Sequence, residues 1–326
     1  MDFDKVLGQE RQIEALKSAI KNKNISHCYL FEGEKGLGKR NLALAFSKTL
    51  LCKEGGSEPC NRCNSCIKFD KSNHPDFKIL SPEKGSIKND EIEKIIKSMA
   101  TAPFESSRKV FIIDDSDKIR MDIQNKLLKT LEEPPEYINI ILVTSSANKL
   151  LPTILSRCQI IKFYPLDTSK IIDLLMENYG IHEDRAKFIA GFAKGSVGKS
   201  IELANSDDFF QKREEVIKVI DSIIKGDKTK ALTSMDFFNE NKENIEEILD
   251  IILYWFRDLL IYKEIGSTCL LVNKDKIQIL SEESFIDLNK INDIIYRIED
   301  TKINIKRNVN FSLSIETMLL SLGGIN

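Results

Sequence analysis

From Leu7 to about Pro165, short apolar or β-branched runs alternate with segments whose apolar residues recur every three to four positions. The runs read as strands and the periodic segments as amphipathic helices, and their alternation predicts a parallel sheet covered by helices. Three runs are nearly unbroken: Cys28–Phe31, Val110–Ile113 and Ile138–Thr144. A strand without polar alternation is one buried on both faces. Ahead of the first run, Ile13, Leu16, Ala19 and Ile20 predict a helix over Glu10–Lys21.

After Pro165 the strand runs stop. Ile171, Ile172, Leu174 and Leu175 mark a helix over Thr168–Tyr179, with Arg185–Phe192 and Gly198–Ala204 as two short helices completing a three-helix unit. Asp207-Asp208 opens a longer helical region, in which Ile245, Ile248, Leu249, Ile252, Leu253, Phe256, Leu259 and Leu260 keep i, i+3, i+4, i+7 spacing. That face needs a packing partner, and Trp255 within it reads as a core or interface aromatic rather than a ligand group. The pattern gives three segments: α/β over 1–165, helical over 166–206 and all-α over 207–326.

The length of 326 residues fits two domains of about 150 residues, or three smaller ones. At 42% hydrophobic and 30% charged residues, the chain can bury real cores. Lys+Arg 48 against Asp+Glu 50 leaves a net charge of −2, so any contact with DNA needs a local basic face. The apolar run Ile251–Phe256 is closed by Asp250 and Arg257, far short of the roughly 18 residues of a membrane span. Met1-Asp2-Phe3-Asp4-Lys5 lacks a basic start followed by an apolar stretch, so a cytoplasmic protein is expected.

The run Gly33-Glu34-Lys35-Gly36-Leu37-Gly38-Lys39-Arg40 lies between a strand and a helical stretch, the setting of a P-loop. Its glycines would let backbone N–H groups wrap phosphates, and Lys39 would reach the terminal ones. Its last position departs from the pattern, because a Ser or Thr there ligates Mg²⁺ and Arg40 has no acceptor. Next in line, the strand ending at Ile113 delivers Asp114, suited to a metal, and Asp115, where a Glu would place its carboxylate about one methylene further out. Misplacement on the order of 1 Å can cost about 10²-fold in rate. The chain is therefore expected to be a poor or inactive ATPase, with Gly33, Gly36, Gly38 and Lys39 still compatible with holding ATP or ADP. Thr144 and Ser145 end the third strand, where a γ-phosphate would be sensed.

Seven cysteines divide unevenly. Cys52, Cys60, Cys63 and Cys66 form an excursion after the P-loop helix, while Cys28, Cys158 and Cys269 are scattered. Four thiolates on a short loop match a closed, structural zinc site. An iron–sulfur cluster competes, since Cys60-x2-Cys63-x2-Cys66 resembles part of a ferredoxin run, but the fourth cysteine lies upstream and favours zinc. His74 reads as a turn residue rather than a fifth candidate ligand; His27 and His182 read as structural or exposed, with no nucleophile beside them.

An isolated arginine in Leu151-Pro152-Thr153-Ile154-Leu155-Ser156-Arg157-Cys158 would ordinarily be a surface residue. Its company includes Val6-Leu7-Gly8-Gln9, His27-Cys28-Tyr29-Leu30-Phe31-Glu32-Gly33, the four cysteines and Asn125-Lys126-Leu127-Leu128-Lys129-Thr130-Leu131-Glu132-Glu133-Pro134-Pro135. Together these resemble the clamp-loader subunits of bacterial DNA polymerase III, in the AAA+ family. The likeness is dense over the first half of the chain and continues by layout through the helical remainder, where Asn308-Val309-Asn310 is a weaker match.

The resemblance implies an AAA+ domain with a zinc-binding insertion, a helical lid and an all-α collar that holds a ring together. It implies that Arg157 is an arginine finger donated in trans to a neighbouring ATPase subunit. The partners it implies are tau/gamma motor subunits, a delta subunit, and, through the complex, the sliding clamp and primed DNA. The family's lid supplies a further cation in a Gly-Ser-x-Arg pattern, whereas Gly195-Ser196-Val197-Gly198-Lys199 places Gly198 there. The expected role is a stator that assists sliding-clamp loading in DNA replication without turning over ATP itself. An active motor resembling tau/gamma is the alternative, and a four-cysteine redox or metal sensor is a third.

Overall fold

The computed structural model describes residues 2–82, 87, 89–226, 228–268 and 270–323. Cys269 lies outside the described residues. The backbone forms two compact units, one of residues 1–167 with 195–199 and the other of 168–194 with 200–326.

In the first unit, β1 (Cys28–Glu32), β2 (Phe77–Leu80), β3 (Lys109–Ile113), β4 (Ile138–Thr144) and β5 (Gln159–Lys162) form one parallel sheet in the order β2-β3-β4-β1-β5. The helices of this part are α1 (Glu10–Lys21), α2 (Lys39–Leu51), α3 (Asn64–Asp70), α4 (Asn89–Met99), α5 (Met121–Glu132) and α6 (Pro152–Leu155). The three unbroken apolar runs are β1, β3 and β4, the inner strands, as strands buried on both faces must be. Successive residues feed opposite layers. Tyr29, Phe31, Val110, Ile112, Ile141 and Val143 pack with Leu42 and Phe46 of α2, while Leu30, Phe111, Ile113, Ile140 and Leu142 pack with Ile123 and Leu127 of α5. Edge strands β2 and β5 escape the apolar-run pattern, since each has four residues and includes a lysine. With all strands parallel, the P-loop, Asp114 and Thr144 arrive at the same carboxyl edge of the sheet, where such folds place their ligands.

The helical sequence continues with α7 (Thr168–Tyr179), α8 (Glu183–Phe192), α9 (Val197–Ala204), α10 (Asp207–Ile224), α11 (Lys228–Thr233), α12 (Met235–Glu240), α13 (Ile245–Ile265), α14 (Ile277–Glu282), α15 (Leu288–Lys306) and α16 (Phe311–Leu322). Within the second unit α13 finds its packing partners in α10 and α15, and α15 packs on α16. Trp255 is fully buried and donates its indole N–H to Glu283 Oε2 at 2.7 Å, so it is a core residue. Among the described residues no helix is long and apolar enough to cross a membrane.

Candidate functional site

The P-loop starts where β1 ends, and α2 begins at Lys39, so the lysine sits at a helix N-terminus as its motif requires. Lys39 is buried and donates to the carbonyls of Gly33 at 2.5 Å and Glu34 at 2.6 Å. Burial lowers its pKa, against the pull of Asp114, Asp115 and Asp117. Arg40 reaches across to β3's end, its Nη1 lying 3.2 Å from Asp114 Oδ2. Burial raises the Asp114 pKa, and Arg40 acts to lower it. The pair joins a half-exposed arginine to a largely buried carboxylate, and the carboxylate suited to Mg²⁺ faces a cation that offers no acceptor. These residues do not fit a magnesium ion.

The remaining acidic and polar groups are also engaged. Asp115 has left-handed backbone geometry (φ +46°) and its carboxylate pairs with Lys118 at 2.7 Å. Thr144 donates to Asp117 Oδ1 at 3.1 Å, and the Ser145 N–H reaches the same oxygen at 3.3 Å. Asp117, unassigned by the motif pattern, is thus the residue that organises the end of β4.

Residues 195–199 close on the loop within the first unit. The Gly198 N–H donates to Gly36 O at 2.8 Å and Ser196 Oγ to Lys35 O at 3.2 Å. A Cβ on Gly198 would stand 3.0 Å from Gly36 Cα, and one on Gly36, whose φ is +82°, would stand 2.2 Å from Ser196 Oγ. Glycine at 198 therefore does more than omit a cation: it lets two backbones touch.

Arg157 lies in the turn between α6 and β5, about one-third exposed. Its Nη2 meets Glu132 Oε1 at 2.9 Å and its Nη1 donates to Thr153 O at 2.9 Å. Glu132 ends α5, so the Leu-Glu-Glu-Pro-Pro run and the Ser-Arg-Cys triplet meet in space.

The four cysteines converge, with all four Sγ atoms within 4.8 Å of one another. Four sulfurs about 2.3 Å from a zinc ion would lie about 3.8 Å apart, so the donor set fits that ion. Backbone N–H groups of Cys60, Cys63 and Cys66 donate to the sulfurs of Cys52, Cys60 and Cys63 at 3.4, 3.3 and 3.4 Å. Although burial opposes it, N–H bonds from Cys66 and Lys53 hold the Cys63 thiol down at about 6. His74 stands apart from the sulfur group. It is buried, its Nδ1 accepts from the Asp76 N–H at 3.1 Å, and its Nε2 lies 2.8 Å from Ser65 Oγ. With Nδ1 as acceptor, the proton sits on Nε2, so Ser65 receives a hydrogen bond and has no base. His182 is exposed just before α8, and His27 stands just before β1.

A family model described as "DNA polymerase III, delta subunit" matches residues 8–167, and one described as the C-terminal part of that subunit matches 207–323. DNA polymerase III subunit delta' of Bacillus subtilis is 33% identical over 319 residues, covering 96% of each chain. The chain belongs to the DNA polymerase III delta-prime family. This delta-prime relationship extends more thinly to subunit tau of B. subtilis, 30% identical over 88% of this chain and 54% of that one. Among solved structures, a gamma-subunit-related protein of Thermotoga maritima aligns over 94% of this chain and 97% of that one at 16% identity and a TM-score of 0.43. The RuvB Holliday junction branch migration motor of the same organism covers 81% and 79% at 18% identity and a TM-score of 0.44.

Proposed function

We propose that this delta-prime family member is the stator of a clamp-loading ring, donating Arg157 to the ATP site of a neighbouring motor subunit. The observation that carries the reading is the contrast between two arginines. Arg40 occupies Asp114 and leaves no ligand set for magnesium, while Arg157 stands in an accessible turn held by Glu132. A guanidinium supplied in trans accelerates γ-phosphoryl transfer by about 10³–10⁵ because it meets charge spreading over the phosphate oxygens. The Glu132 pair would hold the finger ready and release it at little cost, since exposed pairs are weak. Gly33, Gly36, Gly38, Lys39, Thr144 and Ser145 are then remnants of a nucleotide site that does not hydrolyse, and residues 166–206 and 207–326 serve as lid and collar.

The partners of this reading are tau/gamma motors and a delta subunit, with the sliding clamp and primed DNA engaged through the assembled ring in the cytoplasm. The four cysteines hold one zinc ion that fixes the insertion and takes no part in catalysis. The test mixes the chain with motor subunits, delta, clamp and primed DNA, and measures DNA-stimulated ATP turnover. Arg157→Ala should lower turnover at one motor site by about 10³-fold or more, with ring assembly on a sizing column unchanged. Undiminished turnover and loading would refute the finger role. Turnover by the chain alone, abolished by Lys39→Ala, would instead establish a motor.

A further inference from the structure

Cys28 opens β1 and Cys158 immediately precedes β5, whose parallel register sets Tyr29 opposite Gln159. One step back along both strands puts Cys28 opposite Cys158, across the spacing of about 4.7–4.9 Å between neighbouring strands. Disulfides bridge Cα atoms about 4.4–6.8 Å apart, a range that includes this strand spacing. The side chains meet as well. Cys158 helps to raise the Cys28 pKa, and it packs against the apolar layer that Cys28 shares with Leu30, Leu142 and Ile154. Neither belongs to the four-sulfur cluster.

The two thiols are unequal. Cys28 has no exposed surface, and burial holds its proton on well above the ordinary thiol range. Cys158 is partly exposed, next to Arg157 and at the edge of the sheet. An accessible thiol beside a buried resolving thiol is the arrangement that oxidises reversibly, because the first oxidation product is captured before it goes further.

We propose that Cys28 and Cys158 form an oxidation-sensitive dithiol that closes to a disulfide beneath Arg157 when a hydroperoxide reaches Cys158. The Cys158 sulfur, as thiolate, attacks the peroxide oxygen; the O–O bond breaks, Cys158 becomes a sulfenic acid and the departing hydroxide takes up a proton. The Cys28 sulfur then attacks the Cys158 sulfur, the S–O bond breaks, and the Cys28 proton leaves with that hydroxide as water. In sum, two thiols and one hydrogen peroxide give one disulfide and two waters, with two electrons passing from sulfur to peroxide. The bridge ties the Ser156–Cys158 turn to β1, the turn from which Arg157 extends. Its consequence for a motor subunit rests on the finger reading above.

The test exposes the full-length, zinc-loaded chain to stoichiometric hydrogen peroxide, blocks remaining thiols with N-ethylmaleimide in denaturant, and maps the digest by mass spectrometry. The expected product joins the Cys28 and Cys158 peptides, disappears with dithiothreitol, and is absent from Cys28→Ala and Cys158→Ser. In Cys28→Ala, dimedone should trap Cys158 as the sulfenic acid. Full alkylation of Cys28 after peroxide, or Cys158 joined instead to a cluster cysteine, would overturn the proposal. A second readout is the stimulated turnover of the mixed ring. Displacing a catalytic group by about 1 Å costs about 10²-fold, so a fall of that order is expected on oxidation, reversed by dithiothreitol and missing in Cys28→Ala. If the bridge forms and turnover holds while Arg157→Ala lowers it, the disulfide does not govern the finger. If Arg157→Ala itself changes nothing, the finger reading fails and the dithiol is decided by the peptide map alone.

Discussion

Single residues around the P-loop are tied up in contacts with neighbouring side chains and backbone. Arg40 is bonded to Asp114, Lys39 to two loop carbonyls, and Gly198 to Gly36 through backbone alone. Reinstalling the family's lid cation is therefore not a simple gain. In Gly198→Arg the Cβ would come within 3.0 Å of Gly36 Cα and 3.2 Å of Gly36 O, both backbone atoms with little room to yield. Overpacking of this kind costs about 1–3 kcal/mol, which for a unit of this size lowers Tm by roughly 2–12 °C. The substitution should give that fall by calorimetry and no ATP turnover in a phosphate-release assay, while Lys199→Arg one position on should leave Tm within about a degree. A stable Gly198→Arg chain that hydrolyses ATP would show the loop to be a suppressed catalyst. The motif residues were legible because they are contiguous. Their pairings were not: Glu132 with Arg157, Asp117 with Thr144 and Ser196 with Lys35 join residues far apart in the sequence, and only the fold brings them together.

At the scale of elements, the inner strands and the helices α1 and α7 were readable because burial or amphipathicity left an unmistakable period. The edge strands β2 and β5 were not, because a solvent-facing edge tolerates Lys78, Gln159 and Lys162 and breaks the run. Nor does helical periodicity reveal what a buried tryptophan does with its N–H. Trp255 of α13 donates it to Glu283, which follows α14 and is fully buried. Burial pushes the Glu283 carboxyl up to about 7; the indole bond and Lys225, which caps α10, oppose this, while Asp221 on α10 adds to it. The ordinary value is 4.5, so the folded chain holds this proton more tightly than the unfolded one. Its contribution is present in full below about pH 4.5 and lost as pH rises through about 7, a difference on the order of 3 kcal/mol. Trp255 is the sole tryptophan, so its emission during urea unfolding reports on this region. Between pH 5 and 8 the parent chain should lose stability, whereas Glu283→Gln, which keeps an acceptor for the indole, should flatten that slope. Parallel slopes for the two chains would mean that Glu283 is already ionised at pH 5.

For the whole molecule, the four-cysteine insertion decides how far local chemistry spreads. Structural zinc in small modules carries roughly 10–16 kcal/mol of apparent binding free energy, yet here the donors sit on an excursion from a sheet with its own two apolar layers. The excursion is tied to that body at identifiable points. Ser65 Oγ donates to Leu51 O at 2.6 Å, buried Lys48 meets Asp70 at 2.8 Å, and Asp76 accepts the N–H groups of Phe104, Glu105 and Ser106 at 2.5, 2.8 and 2.9 Å. These anchors involve α2, α3 and the turn before β2 and need no metal, so removal of zinc should stop at them. A chelator is expected to release one zinc per chain, detected with a colorimetric indicator, and to raise amide exchange across 53–66 by at least about 10³-fold. Exchange in β1, β3 and β4 should stay within about tenfold of the loaded protein, because their hydrogen bonds and both apolar layers are untouched. If chelation instead exposed the central strands, the ion would be holding the sheet as well as the insertion. If the metal released were iron, with colour lost from the protein, the assignment of the four thiolates to zinc would fall while the anchoring bonds kept their place.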